Sequence, residues 1–76
     1  MLKGTREGIL KRLQPISVHG QISMDVYFSD VEAPDGQVHV VRIGPEAVAR
    51  NLEVGDKIQL DYLVGVAVKV SRVPSV

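Results

Sequence analysis

The chain has 76 residues and nine basic residues against nine acidic ones. It has no cysteine, so disulfides and thiolate metal sites are excluded. That length makes one domain, near the size where a single apolar core is marginally sufficient. Valine, isoleucine and leucine supply most of the 45% hydrophobic content, and the only aromatics are Tyr27, Phe28 and Tyr62.

The charge is unevenly placed. Residues 1–20 carry Lys3, Arg6, Lys11 and Arg12 against Glu7, whereas residues 21–40 carry Asp25, Asp30, Glu32 and Asp35 with no Lys or Arg. A dedicated nucleic-acid binder shows a basic excess, which this chain lacks. No apolar run reaches membrane-spanning length, and no signal-peptide core precedes the domain. A native Met1 places the chain in the cytoplasm; a Met1 added after removal of an export signal would place it in the periplasm.

In chain order, residues 1–6 are expected to be loose. Ile9, Leu10 and Leu13 in EGILKRLQ predict a short strand over 7–14. Pro15 disfavours a helical Gln14, so an extended turn is expected from Pro15 to Gly20. In QISMDVYFSDV, Ile22, Met24, Val26 and Phe28 alternate with Ser23, Asp25, Tyr27 and Ser29, the period of a half-buried strand. APDG (33–36) places proline at the second position of a turn and Asp-Gly after it, a hairpin signal. QVHVVRI (37–43) is its expected partner; with Val38 and Val40 in the core, His39 and Val41 would face outward.

Gly44-Pro45-Glu46 opens a helical turn with an acid where the helix dipole favours one. Residues 44–52 are thus expected to form a helix of one or two turns, with Val48 and Leu52 towards the core and Asn51 as a left-handed stop. Val54-Gly55-Asp56 then makes a tight turn. Ile58, Leu60, Tyr62 and Val64 alternate along the next strand, Gly65 permits a reversal, and Val66, Val68 and Val70 alternate along the last (66–73), which Pro74 ends. A loose tail over 74–76 follows.

Three strands, a short helix and a final hairpin predict an all-β fold: a five-stranded OB-like Greek-key barrel with the helix between strands three and four. The stretch HVVRIGPEAVARNLEVGDKIQLDY, with GILKRL before it, resembles the CusF-like periplasmic copper-chaperone family of small OB-fold domains. A turn of this kind also occurs in molybdate-binding TOBE/Mop-like domains and translation-factor barrels. The resemblance implies a Cu(I) site built from a strand-two histidine, a tryptophan and a Met-x-Met pair. Here the Met-x-Met position reads Gln37-Val38-His39, tryptophan is absent, and Tyr27-Phe28 stands where the histidine would be.

Two histidines, His19 and His39, with Met24 as a third candidate ligand, fall below what a metal site requires. Asp25, Asp30, Glu32 and Asp35 lack calcium-loop spacing and read as solvated charges on a hairpin. No nucleophile motif and no phosphate-cradling glycine pattern is present, which points away from catalysis and from a cofactor. The expected function is a non-catalytic binding or interaction module for a protein partner or a second copy of the chain. The alternative is single-stranded nucleic acid on the face of strands two and three, and a further alternative is copper. Tyr27, His39 and Arg42 are the expected centre of the ligand surface. Lys11, Arg12 and Lys69, with Arg72, would add a basic patch if the first and fifth strands adjoin.

Overall fold

A computed structural model describes residues 3–73. Met1, Leu2 and the expected loose tail from Pro74 to Val76 lie outside the described residues. Five antiparallel strands, β1 (Lys3–Val18), β2 (Gln21–Asp30), β3 (Val38–Ile43), β4 (Lys57–Leu63) and β5 (Val66–Arg72), form one sheet in the order β3-β2-β1-β4-β5. The all-β expectation holds. The sheet is not closed among the described residues: β3 and β5 share no strand ladder. A single parallel bridge, Val48 to Val70, and a hydrogen bond from the Ala49 N–H to the Val70 carbonyl at 2.9 Å tie the segment after β3 to β5.

The first strand is twice the expected length. It runs from Lys3 rather than from residue 7, and it passes straight through Pro15. Residues 3–9 pair with β4 and residues 8–18 with β2, so the two ladders overlap only at Gly8 and Ile9. Beyond Leu10 the side of β1 away from β2 has no strand neighbour, and a proline without an N–H is tolerated at such an edge. The register slips between Leu10 and Arg12, leaving Lys11 as the extra residue. At this kink the Val54-Gly55-Asp56 turn docks on the strand. The Leu10 N–H donates to the Asp56 carbonyl at 2.9 Å, and the Gly55 N–H to the Leu10 carbonyl at 2.8 Å.

Gly8 allows β2 to approach. A Cβ there would lie 2.7 Å from Cδ2 of Phe28 and 2.9 Å from the Ser29 carbonyl. Around this crossing the core assembles from Leu10, Val26, Phe28, Ile43, Ile58, Leu60 and Val70, with Leu13, Met24, Val41, Val48, Leu52 and Tyr62 packed against it. Seven buried side chains, each contributing about 1.5–3 kcal/mol, make a thin core for one sheet.

The expected helix is a three-residue 3-10 turn, Pro45–Ala47. Its start signals act as expected, but Val48 is extended, because its bridge to Val70 competes with further helical bonds. Asn51 does adopt the left-handed conformation, at φ 62°. APDG forms the expected turn: the Gly36 N–H donates to the Ala33 carbonyl at 2.9 Å, with Pro34 second.

Two side-chain assignments change. Phe28 pairs with His39 and Val26 with Val41, and cross-strand partners share a face. His39 and Val41 therefore lie on the core side, and Val38 and Val40 are outside, half exposed at 50% and 54%. On β5, an irregularity skips Val68 between the Tyr62–Ala67 and Asp61–Lys69 pairs. Val70 is buried, whereas Val66 and Val68 are exposed.

His19-Gly20 and Val64-Gly65 each form a two-residue hairpin link with positive φ at both positions. A β-branched residue at φ 51° is a strained choice for the first of these. Val64→Asn is expected to stabilise the domain by about 1 kcal/mol in urea denaturation. Gly8→Ala is expected to destabilise it by about 1–3 kcal/mol, because the added methyl overlaps Phe28 and the Ser29 carbonyl.

Candidate functional site

The outer face of β1, β2 and β3 carries three cross-strand rows. Ile9, Ser29 and Val38 form one, Arg12, Tyr27 and Val40 the next, and Gln14, Asp25 and Arg42 the third. Tyr27 and Arg42, two of the three residues expected at the centre of the ligand surface, share this face, and Arg12, expected in a separate basic patch, joins them. Each is already engaged within the fold. The Arg12 guanidinium carbon sits 5.6 Å from the Tyr27 ring centre. Arg42 grips Asp25 with both branches of its fork, Nε to Oδ1 at 2.8 Å and a terminal nitrogen to Oδ2 at 3.2 Å. Asp25 is buried beneath that contact, while the Arg42 side chain remains 55% exposed.

His39 belongs to a different place. It lies on the core side at the end of the sheet where β2 and β3 meet the Glu32–Gly36 loop. Its ring stacks obliquely against Phe28 at 5.5 Å. Arg6, paired with Leu60 on the same face, reaches across to Asp30 with contacts of 3.0 and 2.8 Å to Oδ1. The same Arg6 nitrogen lies 3.1 Å from Nε2 of His39, and the guanidinium covers the Phe28 ring at 5.3 Å. The Arg6 guanidinium is held further above its usual pKa, first by the hydrogen bond to Asp30. Arg6, Asp30 and His39 thus cap the ring of Phe28, which is fully buried beneath them. Sequence reasoning left Arg6 in the loose start and Asp30 among solvated charges, since nothing local links residues 24 positions apart.

The remaining candidates are dispersed. Lys11 is the extra residue at the β1 irregularity. Lys69 pairs with Asp61 on β5, which β4 separates from β1, so the adjoining of first and fifth strands that a basic patch required does not occur. Arg72 donates to Oδ2 of Asp56 at 3.0 Å and to the Asn51 carbonyl. His19 occupies the β1–β2 turn, and Met24 packs on the core. Seven residues of β2 separate the turn from the level of His39, about 23 Å of strand. No three His, Asp or Glu side chains converge among the described residues.

A shallow concavity of about 570 Å³ lies on the other half of the sheet, lined by Thr5, Gln59, Asp61, Tyr62, Leu63 and Val68. It is wide open, and its polar groups are partly satisfied by one another, with Gln59 donating to Asp61 at 2.9 Å.

The sheet edges differ sharply in how they are guarded. The free side of β1 carries Pro15. On β5, the irregularity at Val68, Lys69 and the bond to Ala49 interrupt the edge. On β3 the sequence Val38-His39-Val40-Val41 has no proline, lysine or irregularity. No backbone group of Val38–Ile43 bonds to backbone outside the β2–β3 ladder among the described residues. An unpaired, valine-rich edge of that kind is a template for another strand.

Asp25 titrates below its ordinary 3.8, first through its hydrogen bonds from Arg42, and Asp56 does so first through the Glu53 N–H. A carboxylate whose folded pKa is lowered stabilises the fold above the unfolded value, and that contribution is lost as pH falls through the folded value. The urea midpoint is therefore expected to decline below pH 3.8. Asp25→Asn should lower the midpoint near neutrality and flatten the acid decline, which a pH series of urea titrations checks.

No protein-family profile, no curated protein and no solved structure matches the chain.

Proposed function

We propose that this chain is a non-catalytic interaction module, an OB-like barrel that binds protein by adding an extended strand to its β3 edge. The observation that carries the reading is the contrast between β3 and the other edges. Proline, a register irregularity and backbone contacts interrupt the others, whereas β3 carries no proline, lysine or irregularity; β5 comes near it without forming a ladder, and its Val38 and Val40 side chains are exposed. Strand addition takes its affinity from main-chain hydrogen bonds and its selectivity from alternate side chains. The barrel description draws support from the strand order, from the shared strand β1 and from the Val48–Val70 bridge, which brings the two ends of the sheet towards each other.

Single-stranded nucleic acid is the weaker reading of the same region. A base stacking on Tyr27 would displace Arg12, and a phosphate at Arg42 would compete with the buried Asp25 carboxylate.

The test is an NMR titration of the labelled chain with a capped, lysine-flanked heptapeptide alternating Thr and Val. The expected outcome is that amide shifts over Val38–Arg42 exceed all others. Absence of any shift there, or shifts at Arg12 and Tyr27 only on adding oligothymidylate, would sink the proposal.

A further inference from the structure

We infer that the strand received by the β3 edge is β3 of a second copy, paired antiparallel about a twofold axis through Val40. This rests on the reading of β3 as a docking edge and names its occupant.

Register follows from the faces. Joining two sheets edge to edge about a twofold axis keeps the outer face continuous, so outer residues must oppose outer residues. On β3 these are Val38, Val40 and Arg42. An axis through Val40 sets Val40 against Val40 of the second copy, Val38 against its Arg42, and His39 against its Val41. An axis through Val41 would instead place the exposed Val40 against Arg42 and leave Val38 without a partner on the strand. The first register is self-complementary: exposed valine meets exposed valine, and Val38 meets the aliphatic stem of a guanidinium that Asp25 holds in place.

Charge complementarity selects a second copy over an unrelated strand. The β2–β3 loop, with Glu32 and Asp35 exposed, lies at the Val38 end of the edge, and Arg42 lies at the other. Antiparallel pairing sets the acidic loop of each copy beside the exposed Arg42 guanidinium of its neighbour, whose charge the buried Asp25 offsets in part. The chain's formal net charge is zero, so two copies do not repel as whole molecules.

The experiment is light scattering across a concentration series up to the millimolar range, with two variants of Val38, and oxidation of two cysteine variants. Val38→Glu faces Arg42 of the second copy and keeps the dimer. Val38→Lys removes the same apolar group but opposes that arginine, and weakens the dimer at least roughly tenfold in Kd. Val38 is half exposed, so neither change disturbs the core. Because the chain has no cysteine, Val40→Cys reports the register directly: it oxidises to a disulfide-linked dimer, and Val66→Cys, exposed on β5, does not.

A chain that stays monomeric at millimolar concentration, or equal behaviour of the two Val38 variants, overturns the dimer. If the monomer still shifts at Val38–Arg42 with the Thr-Val heptapeptide, the docking edge stands and only its occupant is wrong. If neither occurs, both readings fall.

Discussion

The structure depends on one strand serving two neighbours. β1 gives its first half to β4 and its second half to β2, and the handover occupies only Gly8 and Ile9. Three local features make this turn of allegiance possible. Gly8 lets Phe28 close to within van der Waals contact, the extra residue Lys11 increases the bend, and the Gly55-Asp56 turn takes up the backbone groups of Leu10. The core sits against that crossing, which is why Leu10, Phe28, Ile58 and Leu60 are fully buried. Without it the chain would be a β1–β2–β3 meander and a separate β4–β5 hairpin, and such a hairpin is marginal alone in water.

Electrostatics follow from the same topology. The basic first twenty residues and the acidic next twenty are adjacent antiparallel strands, so much of the apparent charge separation is satisfied inside the sheet. Arg6 meets Asp30 across the β1–β2 ladder, and Asp25 is covered by Arg42 from β3. Partly exposed pairs such as Arg6–Asp30 contribute modestly, about 0–1 kcal/mol each. Their stronger effect is positional, since the Arg6 fork holds His39 and the Phe28 ring in one arrangement. What the surface presents is more local than the sequence blocks imply: exposed acids at the β2–β3 loop and, at the far end of β3, the half-exposed Arg42 guanidinium over its buried partner Asp25.

Parts of this were legible in the residues. QISMDVYF has uniformly apolar and uniformly polar sides, so its face could be assigned by alternation alone. APDG specifies its own turn. VHVVRI does not, because valines fall on both faces, and only the pairing of Phe28 with His39 decides which are inside. Pro15 reads as a break unless the missing neighbour on its side is known. The helix signals at Gly44-Pro45-Glu46 were sound, but Val48 is claimed by Val70, a partner that local spacing cannot reveal. Of the expected ligand residues, Tyr27, Arg12 and Arg42 share a face, while register takes His39 to the core side and the strand order takes Lys69 away from β1.

The division of β1 also fixes an order of events in synthesis. Its second half finds β2 across a two-residue link, but its first half waits for β4; Lys3 pairs with Leu63, sixty positions later. Until then Thr5 to Ile9 are backbone without a ladder on that side. Contacts of such long sequence separation slow folding and leave strands exposed while the chain is incomplete. The growing chain therefore carries an open strand along Thr5 to Ile9 from the time β1 is made until β4 has been added, and that interval is when the strand is free to pair wrongly.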